Sequence, residues 1–179
     1  MFTIPFPGKP ALTEGIWTTE YGVVLPSNLY TIFGIAGNHT LTVVDYSPVE
    51  RIAAEKSRHC GPGEETCSGV GDTGLGYWKN DVRGAVTYAI AKMIEDKDVK
   101  VTHLMFNFME MVGGQEIQMT NLKDQSRTFG TAYMHLNRLL LVESPFPKGK
   151  APPTCLQQSI GWLTVKVRGI SYQSLNLTE

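Results

Sequence analysis

Gln115-Glu-Ile-Gln-Met-Thr120, Asn121-Leu-Lys-Asp-Gln-Ser126, Arg127-Thr-Phe-Gly-Thr-Ala-Tyr-Met134, His135-Leu-Asn-Arg138 and Leu139-Leu-Leu-Val142 follow one another without interruption. The first segment alternates polar and apolar residues, which predicts a strand with one buried face. The second is polar and turn-like. The third is rich in aromatic and β-favouring residues, with Phe129, Thr131 and Tyr133 on one side. The fourth is a compact turn in which Asn137 is suited to a positive φ. The fifth is a continuous apolar run, as in a strand covered on both faces. Pro145, Pro147, Pro152 and Pro153 then oppose regular pairing. Thr154 can cap a helix starting at Cys155, with Leu156, Ile160 and Leu163 on its apolar side.

Upstream, Val101-Thr-His-Leu-Met-Phe-Asn-Phe108 predicts another strand, with Gly113-Gly114 as its turn. Before it, Val82, Ala85, Val86, Ala89, Ile90, Met93 and Ile94 recur at helical spacing after a possible Asn80 cap. Ser47-Pro-Val-Glu50 opens a shorter helix: Ser47 caps, Pro48 takes the first helical position and Glu50 completes a capping box. Ile16–Tyr21, Leu29–Phe33 and Thr40–Asp45 predict three more strands, the last two joined across Gly37-Asn38. Pro5, Pro7 and Pro10 make 1–15 an irregular arm, and Val165–Gln173 could add a terminal strand. Strands in runs with helices between them predict an α+β class built on a mostly antiparallel sheet. At 179 residues and 42% hydrophobic content, one domain over 1–179 is expected.

Net charge is −1, and no dense basic patch suggests nucleic acid. No apolar run is long enough to predict a transmembrane segment, and Met1-Phe-Thr-Ile-Pro5 does not read as a signal peptide. A chain of this kind can be a mature form whose leader has been removed. Cys60 and Cys67 share one loop, with Gly-Pro-Gly between them. A disulfide there would remove ~2.5 kcal/mol of unfolded-state entropy and would imply an oxidising compartment. The alternative is a pair of unrelated thiols. Cys155 reads as a small buried residue.

The run from Val101 to Gly114 resembles in its frame the ligand strand of the metallo-β-lactamase superfamily, but Asn107, Met109, Met111 and Val112 occupy the ligand positions. None is a good donor for a catalytic metal. His59, Cys60 and Cys67 are too few for a structural zinc site. Gly69–Gly76 lacks the lysine of a phosphate loop. No nucleophile elbow accompanies His39, His103 or His135. No metal or cofactor is therefore expected. Tyr77, Trp78, Asp81 and Arg83 combine aromatics, an acid and a base at a helix start beside the long loop 59–77. Free N–H groups at such a position favour ligand or partner binding; the alternative is a capped helix with Trp78 packed as a staple.

Arg127-Thr-Phe129, Asn137-Arg-Leu-Leu-Leu141 and Gln157-Gln-Ser-Ile-Gly-Trp162 resemble, in order, the closing strands and helix of Mog1/PsbP-like proteins. The likeness spans about 50 residues. It implies an α/β/α sandwich with a central, mostly antiparallel sheet. Leu140 stands where that pattern has an aromatic, and the Cys60–Cys67 loop is no part of it. Thr42-Val-Val-Asp-Tyr46 and Trp78-Lys-Asn-Asp-Val-Arg-Gly-Ala85 are similar to segments of uncharacterised bacterial proteins, often exported. The resemblance implies a non-catalytic binding or accessory domain of the bacterial cell envelope, periplasmic or secreted, with a protein or small-molecule partner. A cytoplasmic location is the alternative. The rival function is a small hydrolase or isomerase assembled from His103, His135, Glu143 or Asp45.

Overall fold

In a computed structural model, the described residues are 2–4, 8–34, 37–49, 51–52, 55, 82–95, 97–150 and 160–162. They form β1 (Phe2–Thr3), β2 (Ala11–Thr18), β3 (Val24–Gly34), β4 (Gly37–Asp45), helix α1 (Val82–Ile94), β5 (Val99–Met109), β6 (Val112–Asn121), β7 (Arg127–His135), β8 (Arg138–Phe146) and β9 (Gly161–Trp162). Residues 49, 51, 52 and 55 are also helical, with the Ile52 N–H donating to the Pro48 carbonyl.

Seven strands make one sheet in the order β2-β3-β4-β8-β7-β6-β5, and every neighbouring pair is antiparallel. It consists of two meanders, β2–β4 and β5–β8, joined where β4 meets β8. In β8 the apolar run is covered from both sides, as its sequence predicts: Leu139 and Leu141 face one core, Leu140 and Val142 the other.

The first core lies under α1. Ala85, Val86, Ala89, Ile90 and Met93 are buried against Ile117, Met119, Ala132, Met134, Leu139 and Leu141. Burying each large member of that stripe contributes about 1.5–3 kcal/mol relative to exposure. The second core lies on the opposite face, where Leu41, Tyr133, Leu140 and Val142 pack with Ile160 and Trp162. Its cover comes from β1 and β9, which pair antiparallel as Phe2 with Trp162 and Thr3 with Gly161. The Trp162 indole N–H donates to the Met109 carbonyl at 2.8 Å and pins this small sheet to the large one.

The expected α/β/α sandwich is therefore corrected. The described residues are mostly β, and α1 is their single long helix. On the face away from α1, a helix through Ile160 is replaced by extended chain at 160–162. Alternation of Ile160 and Trp162 about Gly161 turns both apolar side chains to the sheet, which a strand achieves and a helix does not. The Thr154 cap, Cys155 and the terminal strand 165–173 lie outside the described residues.

Three further expectations change. The arm proposed for 1–15 contains the start of an eight-residue strand, Ala11–Thr18. Gly37-Asn38 is not a turn: Gly34 pairs with Gly37, and Asn38 pairs with Phe33 inside the ladder. Gly113-Gly114 is not a turn either. Met109 pairs with Val112, so Glu110 and Met111 make the bend, with φ of 46° and 72°. Leu136 and Asn137 bend the β7–β8 hairpin in the same left-handed way, with φ of 48° and 59°. Two-residue turns of this hand match the twist of the strands, which is why non-glycine residues are held there.

Candidate functional site

The β5–β6 hairpin places its apolar residues by simple alternation. Leu104 pairs with Ile117 and Phe106 with Gln115, so Leu104, Phe106 and Phe108 share the face on which α1 lies. The helix itself sits over β6, β7 and β8. The three side chains of β5 are consequently left exposed, at 56%, 65% and 74%. Between them and the start of α1 opens a groove of about 660 Å³. Its walls are Val82, Val86, Phe106, Phe108 and Met111, its floor Gly113, Gly114 and Met134, and Arg83 and His135 also line it. That volume falls within the range of small-molecule sites, about 300–1,000 Å³.

Arg83 is the one member of the predicted binding set that the described residues include, and it lines the groove. Tyr77, Trp78 and Asp81 lie outside the described residues, as do Cys60 and Cys67. No described carboxylate forms an ion pair with Arg83; the ion pairs are Arg51–Glu55, Lys92–Glu95, Lys97–Glu143 and Lys123–Asp98. Phe106, Phe108 and Met111 were not legible as site residues, because a strand with apolar residues at alternate positions predicts burial of that face.

Under the floor, on the opposite face of the sheet, is a polar bridge. The Asn107 amide donates to Glu116 Oε2 at 3.3 Å and to the Tyr133 hydroxyl at 3.2 Å. Burial, and secondarily the Glu116 charge, pushes the Tyr133 hydroxyl up to about 12. Beside it the His135 ring meets Trp162 at a tilt of 43°, with ring centroids 4.8 Å apart, and burial holds its imidazole below the ordinary histidine value.

The four residues of the rival catalytic set do not converge. His103 is exposed on edge strand β5. Glu143 accepts a hydrogen bond from Lys97 at 3.0 Å. Asp45 accepts the Ser47 N–H at 2.9 Å, and hydrogen bonding to Ser47 holds its carboxyl below the usual range. His135 packs its ring against Trp162, and its Nε2 is buried without a hydrogen-bond partner among the described residues. Ser144 Oγ and His39 Nδ1 are both buried and find no partner among the described residues, so they are not bonded to one another as a nucleophile and its base would be. Among the described residues no three His, Cys, Asp or Glu side chains gather as metal ligands, and no helix is long and apolar enough to cross a membrane. No family model, no curated protein and no solved structure matches the chain.

Proposed function

We propose that this chain is a non-catalytic binding domain whose groove takes an apolar ligand with an anionic end. The observation that carries the reading is the chemistry of the groove wall: exposed Phe106, Phe108, Met111 and Val82 around a 660 Å³ space, with Arg83 as its only lysine, arginine or carboxylate among the described residues. Large exposed apolar patches of this kind mark binding surfaces. Apolar side chains supply the affinity by removing ligand surface from water. The guanidinium, always charged, selects for a carboxylate, sulfonate or phosphate at one end.

The test is displacement of a fluorescent probe. Anilinonaphthalenesulfonate, an apolar sulfonate, should bind the full chain saturably with one equivalent, and dodecanoate should displace it. Met111→Asp places a carboxylate in the wall and should weaken both. Probe binding that does not saturate, or that Met111→Asp leaves unchanged, would overturn the reading.

An oxidising location, such as the bacterial envelope, is the second part of this proposal. It rests on the spacing of Cys60 and Cys67 in the sequence. Intact mass after alkylation without reductant tests it: both thiols unmodified supports the location, and both alkylated contradicts it.

A further inference from the structure

We infer that β5 is a self-pairing edge, through which two copies of this chain join their sheets about a two-fold axis. The inference rests on the edge of the sheet rather than on the groove, although the two share Phe106. Among the described residues β5 is the last strand of the seven-stranded sheet, and it runs eleven residues, long for an edge. Proteins guard such edges with charges, prolines or bulges; β5 carries Lys100 and a bulge at Val101/His103 near its start, and Leu104–Met109 contains none of them. The other edge, β2, carries Glu14 and Gly15 in its middle. β2 is guarded in its middle, β5 only near its start.

The hairpin geometry says which backbone groups of β5 have no partner strand among the described residues. Met109 and Val112 flank a two-residue turn and so form a close, hydrogen-bonded pair. Counting back along the strand, Asn107, Met105 and His103 direct their N–H and C=O groups to β6. Phe108, Phe106 and Leu104 direct theirs outward. The Phe108 N–H confirms this direction, because it donates to its neighbour's Asn107 Oδ1 at 2.8 Å rather than to β6. That side chain closes one end of the free run. The bulge between Val101 and His103 closes the other. What remains open is Leu104 to Phe106.

An open run this short pairs with itself in one register that leaves both closures intact. The axis passes through Met105. Leu104 of each copy then opposes Phe106 of the other, and the two residues exchange both backbone hydrogen bonds. Antiparallel pairing keeps both copies' exposed Leu104 and Phe106 side chains on the same face, where aliphatic–aromatic cross-strand contacts form. No charge meets a like charge. The contact is isologous and closes at two copies, whereas pairing β5 to β2 of another copy would propagate as a fibre.

The experiment is light scattering of the full chain over a concentration series, with a charge exchange. The unmodified chain should move from the mass of one chain toward two and stop there. A chain carrying Leu104→Lys and Phe106→Lys should stay at one, as should a chain carrying Leu104→Glu and Phe106→Glu, each with its association weakened at least about tenfold. An equimolar mixture of the two should recover the mass of two, because each lysine now opposes a glutamate. That recovery also shows that both variants fold. An unmodified chain that stays at one, growth beyond two, or a mixture that stays at one would each overturn the inference.

Discussion

Gly114 and Tyr133 oppose one another across β6 and β7, and a Cβ on Gly114 would come within 2.3 Å of Tyr133 Cδ1 and 2.4 Å of the Ala132 carbonyl oxygen. The glycine is there for the ring. Because the second clash is with backbone, it cannot be relieved by a side-chain rotation alone. Gly114→Ala should destabilise the fold by about 2–3 kcal/mol, at the upper end of overpacking costs. Urea unfolding followed by far-ultraviolet circular dichroism measures it; an unchanged midpoint would contradict the packing described.

The Trp17 indole N–H donates to the Tyr46 hydroxyl at 3.0 Å, and that hydroxyl donates to Glu20 Oε2 at 3.2 Å. Tyr46 is buried, and burial with the nearby Glu20 charge raises its hydroxyl far above the usual tyrosine value. Tyr46→Phe keeps the ring and strands the indole N–H. The expected loss is about 1–2 kcal/mol, read as a lowered urea midpoint with an unchanged denaturant slope.

Trp162 is fully buried and holds β9 to the sheet through the Met109 carbonyl. Its ring also meets Tyr133 at 5.9 Å, edge to face. Trp162→Ala should cost about 3–5 kcal/mol and should expose the Phe2–Thr3 strand that pairs with it. Amide exchange would show loss of protection in β1 with β6 and β7 still protected; loss of protection across the whole sheet would contradict this division.

Burial holds both His39 and His135 below the ordinary histidine value. Unfolding frees each imidazole to bind a proton more readily, so the unfolded state gains protons as pH falls. Their contribution to stability is complete above the ordinary value of about 6.5 and declines as pH drops from there through the lowered folded values. Thermal unfolding at pH 7.5 and at pH 5 should give a lower midpoint at pH 5, and replacing both with Gln should shrink that difference. A difference that survives the double replacement would assign the effect to other groups.

How much of this was legible in the sequence depends on whether a signal was local. The alternation of Gln115–Thr120, the covered run Leu139–Val142 and the stripe of α1 each name their own element, and all three elements form; but Gln115 and Glu116 are buried with Ile117, so β6 is covered on both faces there, and Val82 at the head of the stripe is exposed. Asn137 announces its positive φ. Glu110 and Met111 do not announce theirs: two glycines nearby offered an easier bend, and the register of β5 on β6 decided against them. Likewise Ile160 and Trp162 carry spacings that helix and strand share over a few residues, and pairing with Phe2–Thr3 settles the choice from the far end of the chain. The groove was hidden for a related reason. Arg83 was visible at its helix start, but the exposure of Phe106 and Phe108 depends on where α1 lies across the sheet, and no local pattern gives that.

The most direct test of the groove is the binding of two ligands that differ only at one end. Dodecanoate and dodecanol should both bind the full chain with one equivalent, measured by titration calorimetry. The acid should bind about fivefold more tightly, as about 1 kcal/mol from an exposed ion pair allows. Arg83→Met, which keeps the apolar stem and a good helix former, should bring the two affinities together. Equal affinities in the unmodified chain, or an acid preference that persists without Arg83, would contradict the account.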